Sequence, residues 1–346
     1  MANLTPPSRL PEAGTIALVS PSSATPSITP IRLSRSIAFL ESKGFRVVAL
    51  PSVTTPCDPG PANAAARADE LNSAFANPHV NAIISCVGGW ASHQLLPHLD
   101  YDLIGRNAKP FIGYSDTTAL HMAMYQLAGL STFYGPAALP QWGEFDGPDD
   151  YTWASFEDAV VLDKARGVID IPDHWTTEVL PWDTDDIRAR RRSPAPAVNS
   201  LRAGSAVGPV LAANLDTLVT LAGTPWWPDI TGHILLVEAS DTTRPTTLYR
   251  ALAQLSQAPG FAHILGLGFG RVPPSVHAPS IVLDEYLRSL MDHLPTSAAP
   301  HHEGVPVAVN LPFGHTDPMM TIRQGALGRL TCAESGHVQL VLASLS

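Results

Sequence analysis

Short apolar runs alternate with segments of helical period through the first part of the chain. "TIALVS" (15–20), "FRVVAL" (45–50), "NAIISCVG" (81–88) and "PFIGYS" (110–115) are brief, and each is bounded by turn-forming residues, the pattern of buried strands. Between them the apolar positions take helical spacing around 31–43 and 63–76. After residue 115, Leu120, Met124 and Leu127 recur at that spacing with Met122 and Tyr125 beside them, which predicts an amphipathic helix. Such alternation implies a mostly parallel sheet covered by helices on both faces, with ligands bound beyond the carboxyl ends of its strands. Two loops answer to that place: "VGGW" after the third strand and "GYSD" after the fourth.

The pattern dissolves from about 145 to 200 into "EFDGPDDYTW", "WTTEVLPWDTDD", "IRARRR" and "SPAPAVN". Residues 149–200 are therefore expected to be a linker and substrate loop, with one short helix near 152–163, between an N-terminal domain (1–148) and a C-terminal one (201–346). In the C-terminal part "AANLDTLVTLAG" predicts a helix, "HILLVEAS" a strand, "TTLYRALAQLSQ" a helix and "HILGLGFG" a strand. "IVLDEYLRSLMDHL" then predicts a helix, and "VPVAVNLPFG", "GRLTC" and "HVQLVLAS" strands. The fold class expected is α/β: a mostly parallel, Rossmann-like sheet domain followed by a smaller, mixed α/β, strand-rich domain.

Composition narrows the function classes. With 346 residues and 45% hydrophobic content, the chain has material for two packed domains. A net charge of −10 disfavours nucleic acid or an anionic membrane as partner, because both would repel it. A small-molecule ligand is the expectation. No run reaches membrane-span length and "MANLTPPSRLPEAG" lacks the features of a secretory signal, which points to the cytoplasm. Cys57, Cys86 and Cys332 fit neither a disulfide framework nor a metal knuckle and read as free thiols. Despite 13 histidines there is no H-E-x-x-H, and His301-His302 reads as solvated loop. No metal and no cofactor are expected.

Ser115 sits at the corner between strand and helix. Ser and Asp favour helix starts because their oxygens accept hydrogen bonds from free backbone N–H groups, so "SDTT" reads as a cap. It reads equally as a nucleophile lifted out of a sheet beside a helix N-terminus. The stretch G-Y-S-D-T lacks the second glycine of G-x-S-x-G, and the turn by itself leaves both readings open. A serine nucleophile needs a base and usually a carboxylate to orient it. Glu238 at the end of "HILLVE" and His315 after "VPVAVNLPFG" supply candidates, although a Glu238–Arg244 pair and a plain loop histidine serve as well.

Three blocks decide between these alternatives by resemblance. "VGGW…LLPHLDYDLIGRNAKPFIGYSDTTALH", "GPVLAANLDTLVTLAGTPWWPDITGHILLVEASD" and "NLPFGHTDPMMTI" together resemble the serine peptidases of the LD-carboxypeptidase family, nearest to its microcin C self-immunity branch, over roughly residues 12–326. The resemblance implies a class I glutamine amidotransferase-like first domain and a Ser-Glu-His triad of Ser115, Glu238 and His315. It places the oxyanion donors on the backbone at Gly88, Gly89 and Asp116. Where relatives often have "GGN" this chain has Ala212-Ala213-Asn214, so Asn214 alone carries over as a substrate-binding residue; and "TIRQGALG" stands where "PIG" is common.

One branch of that family trims murein tetrapeptide, and the other hydrolyses the bond between an acidic amino acid and a nucleotide-like moiety. "GHTDPMMTI", "VEASD" and the long aromatic-bearing linker resemble the second. Trp182 resembles the loop tryptophan on which that branch stacks the nucleobase, the plain reading being a core or interface tryptophan. Arg188, Arg190, Arg191 and Arg192 suit a phosphate or carboxylate, or a solvated loop. An aminoacyl-nucleotide or peptide substrate and a homodimer are expected. A non-catalytic binding protein with the same two domains is the reading of another class.

Overall fold

Thr15–Val19 (β1) is buried along its whole length, as a strand covered on both faces must be. In this computed structural model, residues 4–55, 63–164, 166–184, 186–274, 283–294 and 304–343 are described. They divide into two units: Met1–Asp163 with Glu178–Arg191 and Met319–Thr321, and Lys164–Thr177 with Arg192–Pro318 and Ile322–Ser346. Of the segment 149–200, residues 149–163 and 178–191 thus go with the first unit and 164–177 and 192–200 with the second.

In the first unit β1 is followed by α1 (Thr25–Ile28), α2 (Pro30–Ser42), β2 (Arg46–Ala49), α3 (Pro51–Thr54), α4 (Ala64–Ala76) and β3 (Ala82–Ser85). Then come α5 (Tyr101–Arg106), β4 (Phe111–Gly113), α6 (Thr118–Leu127), β5 (Phe133–Tyr134) and α7 (Asp150–Phe156). The strands run parallel in the order β5-β4-β3-β1-β2. The chain winds outward from β1 in one direction to β2 and then in the other to β3, β4 and β5, a doubly wound arrangement whose ligand loops follow the strand ends. A core of Ile16, Leu18, Ile84, Ile112, Phe133, Trp142 and Phe156 lies against the sheet.

One expectation changes here. α6 is not amphipathic: Thr118 through Tyr125 are all buried, polar residues included, and only its last two residues, Gln126 and Leu127, are open. A helix enclosed on every side needs no polar face, and its buried polar groups must find partners instead.

The second unit is built on an eight-stranded sheet. Its strands are β6 (Arg166–Val168), β9 (Asn199–Arg202), β10 (Gly204–Asn214), β11 (Ile234–Glu238), β12 (Gly266–Gly270), β13 (Val307–Leu311), β15 (Leu327–Cys332) and β16 (Val338–Leu342). β7 (His174–Trp175) and β8 (Ser193–Pro194) form a separate antiparallel pair, and β14 (Ile322–Arg323) precedes β15. The order is β6-β16-β15-β10-β11-β12-β13-β9, with β10 to β13 parallel and the flanking strands antiparallel. Helices α8 (Leu215–Thr220), α9 (Pro245–Ser256) and α10 (Leu283–Met291) belong to this unit. The helix expected from Ala212 begins only at Leu215, because Val210 to Asn214 pair in register with Ile234 to Glu238 and are needed as strand.

Cys86 and Cys332 are buried free thiols, the first raised in pKa by burial and the nearby charge of Glu70, the second pushed by burial up to about 12. Cys57 and the pair His301-His302 lie outside the described residues. No helix among the described residues is long and apolar enough to cross a membrane.

Candidate active site

β4 ends at Gly113, and two residues later Ser115 has φ 66°, in the left-handed region that non-glycine residues seldom enter. Such a conformation costs of order 1–3 kcal/mol and persists only where its surroundings enforce it, most often at functional sites. Ser115, Asp116 and Thr117 form one tight turn, and α6 starts after it. The cap position of α6 is Thr117, and no side-chain oxygen caps it. The Thr117 hydroxyl turns back to donate to the Tyr114 carbonyl at 2.8 Å. Ser115 is thus not the cap residue of α6.

The elbow is held from several sides. The Ser115 N–H donates to the Tyr134 hydroxyl at 3.2 Å. The Asp116 carboxylate accepts from the Ser92 N–H at 2.8 Å, and the Asp116 carbonyl accepts from the Ser92 hydroxyl at 2.6 Å, so the loop after β3 is tied to the serine turn. A Cβ on Gly88 would lie 2.7 Å from Ser115 Oγ, 2.6 Å from its Cβ and 3.5 Å from the Asp116 nitrogen. Only glycine lets this loop come so near the serine. Gly89 leans the other way, against the Ser22 carbonyl, which also accepts from the N–H groups of Trp90 and Ala91, each at 3.3 Å.

His121 was not singled out from the sequence, yet it supports the same corner. Fully buried in α6, its ring bonds the Gly113 carbonyl at 2.9 Å through Nε2 and the Thr132 hydroxyl at 2.7 Å through Nδ1. Burial lowers its pKa to about 4 against the opposing pull of the Gly113 carbonyl, so it is neutral at neutral pH. Nothing in the local sequence distinguishes it from the other histidines.

In the second unit the sheet register assembles another cluster. Asn214 ends β10 and Glu238 ends β11, and the two are register partners. Asn214 Nδ2 donates to Glu238 Oε1 at 3.1 Å, while its Oδ1 caps α8 by accepting from the N–H and hydroxyl of Thr217, both at 3.1 Å. The structure thus places Asn214 as an orienting partner of Glu238, at the same strand edge. β13 runs parallel to β12, and β12 to β11, so the loop after Leu311 leaves at the same edge and brings His315 to Glu238. His315 Nδ1 and Glu238 Oε2 are 2.6 Å apart, with the Glu238 side chain fully buried. Gly314, at φ +93°, permits the approach, since a Cβ there would lie 2.5 Å from Glu238 Cγ. Arg244, the alternative partner for Glu238, is instead the residue preceding α9.

The electrostatics of this cluster are set by competition. Burial opposes charge on His315, but the charge and hydrogen bond of Glu238, helped by Asp241 and Asp317, outweigh it and raise the ring's pKa above the ordinary 6.5. Asp216, also unremarked in the sequence, lies within electrostatic reach of both Glu238 and His315. Burial and the Glu238 charge raise its pKa, although the Thr243 hydroxyl donates to it at 2.6 Å.

Trp182 lies in the first unit, half-buried and packed against its core cluster, with the Arg32 guanidinium 4.6 Å from its ring centroid. The arginine run is engaged in ion pairs: Arg188 forks onto Glu178 at 2.8 and 2.9 Å, and Arg190 meets Glu144 at 2.6 Å.

Comparison with known proteins places the whole chain among relatives. Residues 16–135 match the LD-carboxypeptidase N-terminal domain and residues 207–330 the LD-carboxypeptidase C-terminal domain. The chain is 32% identical over 321 residues to the microcin C7 self-immunity protein MccF of Escherichia coli, covering 90% of this chain and 88% of that protein. It is 26% identical over 335 residues to a probable murein peptide carboxypeptidase of Bacillus subtilis, covering 96% and 93%. A solved structure of MccF in complex with aspartyl sulfamoyl adenosine is similar at TM-score 0.85 and 30% identity, covering 98% of this chain and 99% of that one.

Proposed function

Because the chain belongs to the LD-carboxypeptidase family, a family of serine carboxypeptidases, we propose that it hydrolyses the amide-type bond between an acidic amino acid and a nucleotide-like moiety, using Ser115, Glu238 and His315 as its triad. The observation that carries this reading is the 2.6 Å hydrogen bond between Glu238 and His315 Nδ1, with Asn214 on the other carboxylate oxygen. A buried carboxylate so held fixes the tautomer of the imidazole and gives Nε2 the role of base. The positive φ of Ser115 supports the nucleophile role, since strain of this kind accompanies function more often than packing.

In the proposed reaction the Ser115 hydroxyl attacks the substrate carbonyl carbon and its proton passes to His315. Backbone N–H groups at Gly88, Gly89 and Asp116 stabilise the oxyanion. The C–N bond breaks as His315 returns the proton to the leaving nitrogen, and an aminoacyl ester remains on Ser115. Water, deprotonated by His315, then cleaves the ester and frees the amino acid. Glu238 stays ionised throughout and stabilises the imidazolium. Stacking on Trp182 would hold the base of the leaving group, a contact worth about 1–3 kcal/mol per base.

Support for the nucleotide-like substrate comes from the similarity to MccF. The likeness to a murein peptide carboxypeptidase favours a second reading, release of a terminal D-amino acid from murein tetrapeptide by the same triad. Mass spectrometry of products from aspartyl sulfamoyl adenosine and murein tetrapeptide, run side by side, separates them. We expect free aspartate from the first and little turnover of the second. Turnover of the tetrapeptide alone would transfer the function to the second reading. No turnover of either, with Ser115 unlabelled by a fluorophosphonate probe, would leave a binding protein.

A further inference from the structure

The segment around Trp182 is fastened to α2 by an ion network within the first unit, centred on the buried pair Arg32 and Asp186. Arg32, 2% exposed, directs its guanidinium at four oxygens: the carbonyls of Leu139 at 2.7 Å and Pro140 at 3.2 Å, the Glu144 carboxylate, and Asp186 Oδ1 at 3.2 Å. Asp186, buried four residues after Trp182, is gripped again by Arg35, at 2.7 Å through its carboxylate and 2.9 Å through its carbonyl. Glu144 is shared with Arg190 at 2.6 Å. These residues are far apart in sequence, 151 positions between Arg35 and Asp186, so the network closes a long loop.

A buried guanidinium must be paired, and this one is paired so that its plane is determined. The guanidinium lies over the Trp182 indole, with Arg32 Cζ 4.6 Å from the ring centroid. Guanidinium stacks on aromatic faces in a way that an ammonium does not. One face of Trp182 is thereby covered by a fixed cation, and any ligand that stacks on the ring meets the opposite face.

We propose that Arg32, held by Glu144 and Asp186, is a positioning residue that sets the plane of Trp182 and so the selectivity for a base-bearing leaving group. This rests on the nucleotide-like substrate reading above. Arg32 touches no substrate in this scheme. Its effect passes through the indole, and it should alter binding of the base without altering the chemistry at Ser115.

The test uses the full-length enzyme with aspartyl sulfamoyl adenosine and with an aspartyl anilide, which has no base. Arg32→Lys keeps the charge and loses the planar stack, and Asp186→Asn loosens the grip on Arg32 from the other side. Each should raise KM for the adenosine substrate about tenfold with kcat within twofold, and leave both constants for the anilide unchanged. Trp182→Ala should raise KM for the adenosine substrate by about as much, and Arg32→Lys combined with Trp182→Ala should add nothing further. Equal losses on both substrates, or additive losses in the double variant, would overturn the proposal. So would a silent Arg32→Lys and Asp186→Asn beside a Trp182→Ala that raises KM, and in that case the nucleotide reading would stand. A silent Trp182→Ala would remove Trp182 from substrate binding and the positioning role with it. Should Arg32→Lys melt early, Asp186→Asn decides the outcome alone.

Discussion

In the proposed triad His315 must be neutral to accept a proton from Ser115, and its surroundings favour the charged form. Burial works against that charge, but the charge and hydrogen bond of the Glu238 carboxylate at 2.6 Å together with Asp241 and Asp317 outweigh it, so the ring's pKa is raised. As pH falls through the raised value the base is lost, so the acidic limb of kcat/KM should lie above the ordinary imidazole value of 6.5. Glu238→Gln keeps the shape and removes the charge. In the proposed triad it should lower kcat by about 10²–10⁴ and move the acidic limb to lower pH. A pH profile of wild type and variant checks both, and a limb that stayed in place would separate Glu238 from the base. Asn214 adds a refinement at the same scale: its amide both starts α8 and holds the second carboxylate oxygen, so one residue couples a helix end to the orientation of Glu238.

At the scale of elements, α6 shows what enclosure demands. Its buried histidine is neutral, with Gly113 and Thr132 as partners, and the pKa is lowered by burial to about 4. In the unfolded chain the same ring protonates near 6.5. Between these values the unfolded state binds the extra proton, so His121 contributes to a loss of stability as pH falls from 6.5 to about 4. The contribution is at most about 3 kcal/mol, from 1.36 kcal/mol per pKa unit. His121→Gln should be less stable at pH 7 and should lose less on acidification over that window. Thermal melts at stepped pH measure it, and parallel curves for the two proteins would refute the assignment. Because Nε2 of His121 holds the carbonyl of Gly113, two residues before Ser115, melting of this contact should loosen the elbow first.

For the whole molecule, the proposed triad acts as one unit of chemistry. Only joint action makes a nucleophile, so the losses should not add. Ser115→Ala should abolish turnover and leave substrate affinity largely intact, because the hydroxyl is used in the chemical steps. His315→Ala should cost about as much. Ser115→Ala combined with Glu238→Gln should be no worse than Ser115→Ala alone. Steady-state rates paired with calorimetric binding test this, and more than a few per cent of wild-type hydrolysis in purified Ser115→Ala would return the serine to a structural role.

The linear pattern of residues by itself determined the alternating parallel sheet and the strand ends that carry Ser115 and Glu238, because burial on both faces of a strand and helical period are local signals that survive in any context. It reached the triad positions by resemblance, since one serine at a turn and one histidine after a glycine carry no distinguishing local mark. Only the tertiary structure decided that β10 runs on to Asn214, because its pairing with β11 outweighed the helical look of "AANLDTL". Enclosure of α6 on all sides was likewise invisible, as a single chain does not state which neighbours will cover a polar face. The left-handed φ of Ser115, the register that sets Asn214 beside Glu238, and the closure of Asp186 onto Arg32 and Arg35 all depend on contacts between residues distant in sequence. Such pairings are selected by the packing of the folded chain, where a buried charge must find its partner wherever the fold has brought one.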